Sequence, residues 1–330
     1  MKSSTQIIQF LLMMSVMTVD AFAQSPPAVG ADLQSRPIRF ITPFPAGGST
    51  DVLARMIAPE LSKRLGTPVV VDNRPGASGM IGLDVVAKAA PDGYTLGLVS
   101  AGNSVITVML TSAPLYDPVK DLAPVAFLAD SPVVLVATPS LPVKDVRSLI
   151  ALERANPGSL FFATSGNGTT QHLAGELFNV KAGTKLGHVP YKGGAPAITD
   201  ILGGQIPLGF LDIPSVAQYA KVGRVRLLGV AGSVRAEGLP DVPTIAESGL
   251  PGYDASAWFG VVVPAKTPPA IIQRLSTELV NVMKMPNIRS QLLQQGLEAR
   301  PAGAEAFATY LDSERAKWGE LVRLLGPKLK

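Results

Sequence analysis

Ser165, with His172 downstream of it, is the arrangement in this chain that most invites nucleophilic chemistry. In that reading the Ser165 hydroxyl attacks and His172 takes its proton, making the protein a secreted serine hydrolase. The G-x-S-x-G turn that exposes a nucleophilic serine is missing, however, and Ser165 reads more economically as a loop residue flanked by free backbone amides. His172 and His188 are the only histidines, and there is no cysteine. The two histidines fall in different strand-loop-helix units, which points to structural roles and to no metal site. A phosphate-binding loop with Lys-Ser/Thr is absent. Gly76, Gly79 and Gly82 are spaced G-x-x-G-x-x-G rather than G-x-G-x-x-G, so no nucleotide cofactor is expected.

What remains is anion binding by backbone. Two segments share one design, a short apolar run, a glycine-bearing loop and the start of a helix. They are Pro43 to Asp51, with Gly47 and Gly48, and Ser165 to Thr170, with Gly166 and Gly168. Glycine lets a ligand approach the main chain, and the first amides of a helix point outward with partial positive charge. Each loop is therefore either a ready anion site or merely a tight turn.

The surrounding elements alternate. Ile38 to Thr42 reads as a buried strand, and Val52, Leu53, Met56, Ile57, Leu61 and Leu65 keep helical spacing after it, with Pro59 expected to kink that helix and Gly66 to end it. Strands are expected at 69–71, 94–99, 125–128, 133–137, 160–163, 186–189, 206–210, 225–230 and 259–263. Helices are expected at 80–90, 143–156, 170–180, 195–202 and 214–221, and from 264 through 325. Such alternation implies an α/β fold of two doubly wound, Rossmann-like lobes with mostly parallel sheets and a hinge. In sheets of this kind ligands sit beyond the carboxyl ends of the strands. The expected boundaries are a signal peptide over 1–23, a flexible leader over 24–36, one lobe from 37–128 plus 254–330, and a second over 129–253.

The ends and the composition agree with export. Lys2, the mostly apolar run Ile7 to Val19 and Ala21-Phe22-Ala23 form a signal peptide with cleavage expected before Gln24. Its apolar run is short of the roughly 20 residues that span a bilayer. Hydrophobic residues make up 47% and charged ones only 16%, enough for large cores without disulfides. The net charge of +4 is scattered, with no basic stripe for nucleic acid.

Five blocks are more specific: Pro43 to Asp51, Val71-Asp72-Asn73-Arg74-Pro75-Gly76-Ala77, Pro91-Asp92-Gly93-Tyr94-Thr95-Leu96, His172-Leu173-Ala174-Gly175-Glu176 and Val189-Pro190-Tyr191-Lys192-Gly193-Gly194. Together they resemble the Bug receptors, the extracytoplasmic solute receptors of tripartite tricarboxylate transporters. The resemblance runs from about Pro37 to about Trp318. It implies a periplasmic, monomeric binding protein of the Venus-flytrap type (type II-like) that performs no catalysis. The ligand would be a small carboxylate (a di- or tricarboxylate, an acidic amino acid or an aromatic acid), pinched between paired loops partly through ordered water. The resemblance maps the pincer onto Ala46, Gly47, Gly48, Ser49 and Thr50 and onto Ser165, Gly166, Gly168 and Thr169. Tyr191, Gly194 and Asp212 would face the rest of the ligand. A membrane permease or a sensor kinase would receive the closed form.

Single residues keep two readings. Asp51 caps its helix or touches ligand. Tyr191 reaches into the cleft or packs in the core. Asp212 accepts from an ammonium group or caps the next helix. Trp258 and Phe259 pack a core or hinge rather than line the cleft, and Lys192 is a solvated neighbour.

Overall fold

The computed structural model describes residues 33–46 and 49–325, Ser49 by its backbone alone. The expected signal peptide lies outside the described residues. So does the first part of the leader. Of residues 33–36, Leu33 is buried, while Ser35 and Arg36 are exposed; Ser35 Oγ lies 2.7 Å from the Tyr94 hydroxyl and Arg36 pairs with Asp92.

Two sheets organise the chain. The first contains β1 (Ile38–Thr42), β2 (Val69–Asn73), β3 (Thr95–Ser100), β4 (Leu122–Ser131), β10 (Ala257–Pro264) and β11 (Glu298–Gly303), in the order β11-β4-β10-β3-β1-β2. The second contains β5 (Val133–Ala137), β6 (Phe161–Thr164), β7 (Gly187–Pro190), β8 (Leu208–Asp212) and β9 (Arg226–Val230), in the order β7-β6-β8-β5-β9. Both are mixed, which corrects the expectation of mostly parallel sheets. β1 pairs in parallel with β2 and β3, and β6 with β7 and β8. The strands that carry the chain between sheets run the other way: β10 is antiparallel to β3 and β4, and β5 to β8 and β9.

Helices cover both faces of each sheet. α1 (Ser49–Leu65) runs as one helix with Pro59 inside it. α2 (Met80–Ala87) and α3 (Thr107–Leu110) follow, then α4 (Val146–Ala155), α5 (Thr170–Ala182), α6 (Gly194–Leu202) and α7 (Ile213–Lys221) in the second half. α8 (Pro269–Met283), α9 (Pro286–Gln294) and α10 (Ala304–Leu325) return to the first sheet. Neighbouring residues along a strand point to opposite faces. Thus Phe40, Leu96, Leu98 and Val261 join the cluster of α1 and α8, while Ile41, Val99 and Val262 join the other face with α2 and α10. In the second sheet, Val134 and Val136 pack with α6 and α7, and Leu135, Phe162 and Phe210 with α5.

The crossing segments touch. β4 and β5 are separated only by Pro132, the Ala231 amide donates to the Val133 carbonyl (2.7 Å), and the Ala255 amide donates to the Ala231 carbonyl (2.7 Å). Trp258 is fully buried beside this junction and donates to Glu314 Oε2 at 2.7 Å, as Trp318 does at 2.8 Å. No helix among the described residues is long and apolar enough to cross a membrane.

Candidate functional site

The first glycine loop leaves the carboxyl end of β1, the next-to-last strand of its sheet. β1 lies between β2 and β3 and runs parallel to both, so the loop after Thr42 and the loops after Asn73 and Ser100 share one carboxyl edge. Thr42 and Asn73 are register partners, and the Asn73 side chain braces the loop. Its Nδ2 contacts Thr42 Oγ1 at 2.6 Å, the Phe44 carbonyl at 3.1 Å and Asp51 Oδ1 at 3.0 Å. Asp51, almost fully buried in the first turn of α1, takes Arg55 Nε on its other oxygen at 2.9 Å. Its negative charge sits where the helix dipole favours it. Asp51 thus holds the loop to the helix and to β2. Ala46 is exposed, Gly47 and Gly48 lie outside the described residues, and Ser49 and Thr50 open α1. The Thr50 hydroxyl is buried with no hydrogen-bond partner. No free lysine or arginine serves this edge from β2, because Arg74 is paired with Asp72 at 2.9 Å.

The second loop is closed by its own bonds. Gly166 and Gly168 have φ of 141° and 69°, conformations that side chains disfavour. Thr169 is the N-cap of α5; its hydroxyl accepts from the His172 amide (3.3 Å) and donates to the Gly166 carbonyl (2.8 Å). The Gly168 amide donates to His172 Nδ1 at 3.1 Å, and the Gly193 amide to the Ser165 carbonyl at 3.1 Å. His188 lies flat on His172, ring centres 3.8 Å apart, with its Nε2 2.7 Å from Thr164 Oγ1. Burial pushes both imidazoles down to about 4, His188 with a further contribution from His172. Both rings are therefore neutral at pH 7.

This geometry removes the hydrolase pairing. The His172 nitrogen nearest the loop is occupied by the Gly168 amide, and Ser165 makes no bond to the ring. The two histidines that sequence spacing separated are neighbours because β6 and β7 pair with Phe162 opposite His188. Among the described residues no group of three His, Cys, Asp or Glu is arranged to hold a metal ion.

The remaining residues follow β7 and β8 in the second sheet. Tyr191 is half-buried against the α6 and α7 cluster and donates to Asp200 Oδ2 at 2.6 Å, which fixes its hydroxyl there. Lys192 is exposed. Gly194 opens α6, and a Cβ at that position would lie 2.7 Å from Ser215 Oγ. Asp212 occupies the N-cap position of α7 without bonding its amides. It accepts instead from Gln171 Nε2 at 2.8 Å, and burial pushes its carboxyl up to about 6 against the lowering effect of Gln171. Gln171 and Asn73 are the two bracing residues that sequence reasoning missed. The Asn73 signal was its place at the end of the second strand, and the Gln171 signal its place in the first turn after a glycine loop.

The tripartite tricarboxylate transporter family receptor model matches residues 53–326 of the chain. The protein BugT of Bordetella pertussis is 40% identical over 298 residues, covering 90% of this chain and 91% of that one. Among solved structures, Rpa4515 of Rhodopseudomonas palustris with adipate is 35% identical, with a TM-score of 0.74 over 89% of this chain and 99% of that one. MatC from the same organism, with bound malate, is 31% identical, with a TM-score of 0.70 over 87% and 99%.

Proposed function

Since the chain belongs to the tripartite tricarboxylate transporter receptor family, we propose that it captures a small dicarboxylate between its two glycine loops. It is a periplasmic solute-binding receptor and not an enzyme. The observation that carries the ligand reading is the pair of alike loops, each opening a helix at the carboxyl end of a parallel strand, one in each sheet. Neither loop contains lysine or arginine, so the anion would be held by amides and hydroxyls at two helix N-termini. The adipate and malate bound by the related structures support that class. In this reading the two sheets center two lobes, residues 37–128 with 254–330 and residues 129–253, that close by bending where Val133, Ala231 and Ala255 meet.

Ala46 to Thr50 and Ser165 to Thr169 form the pincer, and Tyr191, Gly194 and Asp212 border the far end of the ligand. The closed form is delivered to a membrane permease. A thermal-shift screen of dicarboxylates and acidic amino acids, each beside its amide and at two salt concentrations, tests the reading. A ligand at about 100 times its Kd adds roughly 2.7 kcal/mol, a rise of several degrees for a chain of this size. Acids are expected to stabilise and amides not, because an amide brings a donor to a donor-lined site. Amides that work as well as their acids would overturn it. Acidic amino acids that outperform the matching dicarboxylates would assign Asp212 to an ammonium group. Export with cleavage before Gln24 belongs to the same reading; the intact mass of periplasmic protein checks it, and retention of residues 1–23 would refute it.

A further inference from the structure

The carboxyl edge of the first sheet holds a buried donor that the fold does not use. After β3 the chain makes a short π-helical turn, Gly102–Ile106, and Asn103 sits in it with no exposed surface. Turns of this kind recur at functional sites. Asn103 is held from two sides: its Oδ1 accepts the Ser100 amide at 2.8 Å, and its backbone carbonyl accepts the Tyr116 hydroxyl at 2.6 Å. The first bond settles which end of the side-chain amide is oxygen. Nδ2, with its two N–H groups, is left without a partner. Buried polar atoms are almost always paired, so an oriented, unspent donor calls for a reason.

Asn103 adjoins the first glycine loop. A Cβ placed on Gly79 would lie 3.2 Å from Asn103 Nδ2 and 3.3 Å from the tip of the Phe44 ring. Phe44 belongs to the loop between β1 and α1, and its carbonyl is the one Asn73 braces. Thr50, just beyond that loop, carries a buried hydroxyl that also lacks a partner. The loop over Asn103 is itself held in a costly conformation. Gly76, Ala77, Ser78 and Gly79 all have positive φ, 129°, 46°, 54° and 93°, and two of them are not glycine. Strain of this sort persists where surrounding structure enforces it and clusters at ligand clamps.

We propose that Asn103 determines specificity, its Nδ2 receiving the second carboxylate of a dicarboxylic acid whose first carboxylate lies in the pincer. The inference rests on the carboxylate reading above. The two N–H groups of Asn103 Nδ2 have no partner in the fold, which suits a group that only accepts hydrogen bonds. An ionised carboxylate is such a group, whereas a ligand amide would bring donors of its own. Donors fixed before binding cost nothing to orient when the ligand arrives.

The test is calorimetry on the wild type and Asn103→Asp with succinate, glutarate and adipate beside butyrate, pentanoate and hexanoate. Asn103→Asp keeps the oxygen that takes the Ser100 amide and replaces the NH2 with an acceptor. The preference for each dicarboxylate over its monocarboxylate is expected to fall at least about tenfold, the size expected when an acceptor faces an acceptor. A preference left unchanged in folded variant protein overturns the inference. So does a wild type that binds acids of both kinds equally, which leaves the pincer reading standing. A wild type that binds none of the acids overturns both. A crystal structure of the wild type with its best dicarboxylate asks the same question without a variant. A carboxylate oxygen within hydrogen-bond distance of Nδ2 upholds the inference, and water alone there overturns it.

Discussion

The two glycine loops begin from the same plan and end in different states. In the second, the loop's own atoms use one another: Thr169 bonds Gly166 and the His172 amide, Gly168 bonds the His172 ring, and Gly193 bonds Ser165. The stacked His188 backs that ring. In the first, the described contacts come from outside, through Asn73 on β2, and two buried donors, Thr50 Oγ1 and Asn103 Nδ2, stay unspent. A closed set of internal bonds gives a rigid jaw whose shape exists before the ligand does. Unspent donors give a jaw whose hydrogen bonds are completed by what it binds. An unpaired buried donor costs about 1–3 kcal/mol, and a ligand that pairs it recovers that cost. In the proposed reading, rigidity on one side and unmet donors on the other would divide the work of positioning and of selection.

The largest effect should come from breaking the rigid jaw. Gly166 has φ of 141°, and a Cβ there would come within 3.3 Å of the Tyr191 carbonyl. Gly166→Asp forces a side chain into that space and adds a negative charge beside the proposed anion site. Titration with the best ligand from the acid screen is expected to show at least about a hundredfold loss of affinity, close to 2.7 kcal/mol, with the circular dichroism spectrum retained. The loss combines an unfavourable backbone conformation with charge repulsion at a helix N-terminus. Affinity within threefold of wild type would remove Gly166 from the pincer, and with it the claim that the second jaw is the pre-formed one.

How much of this was legible before the fold was known follows from how local each feature is. Both loops, the helices they open and the N-cap at Thr169 are written in adjacent residues, so glycine, hydroxyl residue and apolar periodicity suffice to find them. Asn73, Gln171 and Asn103 depend on which strands become neighbours. Asn73 braces Phe44 only because β2 lies beside β1, and Asn103 adjoins the same loop only because β3 lies on the other side. Tyr191 carried a cleft reading beside a core one, and its bond to Asp200, in the following helix, could not be foreseen from spacing alone. The strand Glu298–Gly303 was missed altogether. Its residues show no alternation, Pro301 interrupts it, and its pairing with β4 slips between Ala299 and Ala302. An edge strand tolerates such proline, which an interior strand does not.

A smaller effect sharpens the comparison through pH. His172 and His188 are held at about 4 against an ordinary value near 6.5. The folded state keeps both neutral, so protons enter the unfolded chain first as pH falls from about 6.5 towards 4. Stability that is fully present above about 6.5 is lost across that window, on the order of 1–2 kcal/mol per ring at pH 5. Two partly buried carboxyls act in the opposite sense. Asp212 is pushed up to about 6 and Asp130 to about 7, both chiefly by burial. Each takes up its proton in the folded state before the unfolded one, so acidification favours the fold through them. Wild type is therefore expected to respond weakly to acid, because the two pairs of groups offset each other. His188→Phe removes one opposing member while leaving a flat ring to lie against His172 and Phe162, its present neighbours. The variant gives up the bond to Thr164 and should be less stable than wild type at pH 7. Its melting temperature should then fall less, or rise, between pH 7 and pH 5, by a few degrees relative to wild type. Parallel pH profiles for the two proteins would show that the histidine stack does not hold the second jaw neutral and rigid.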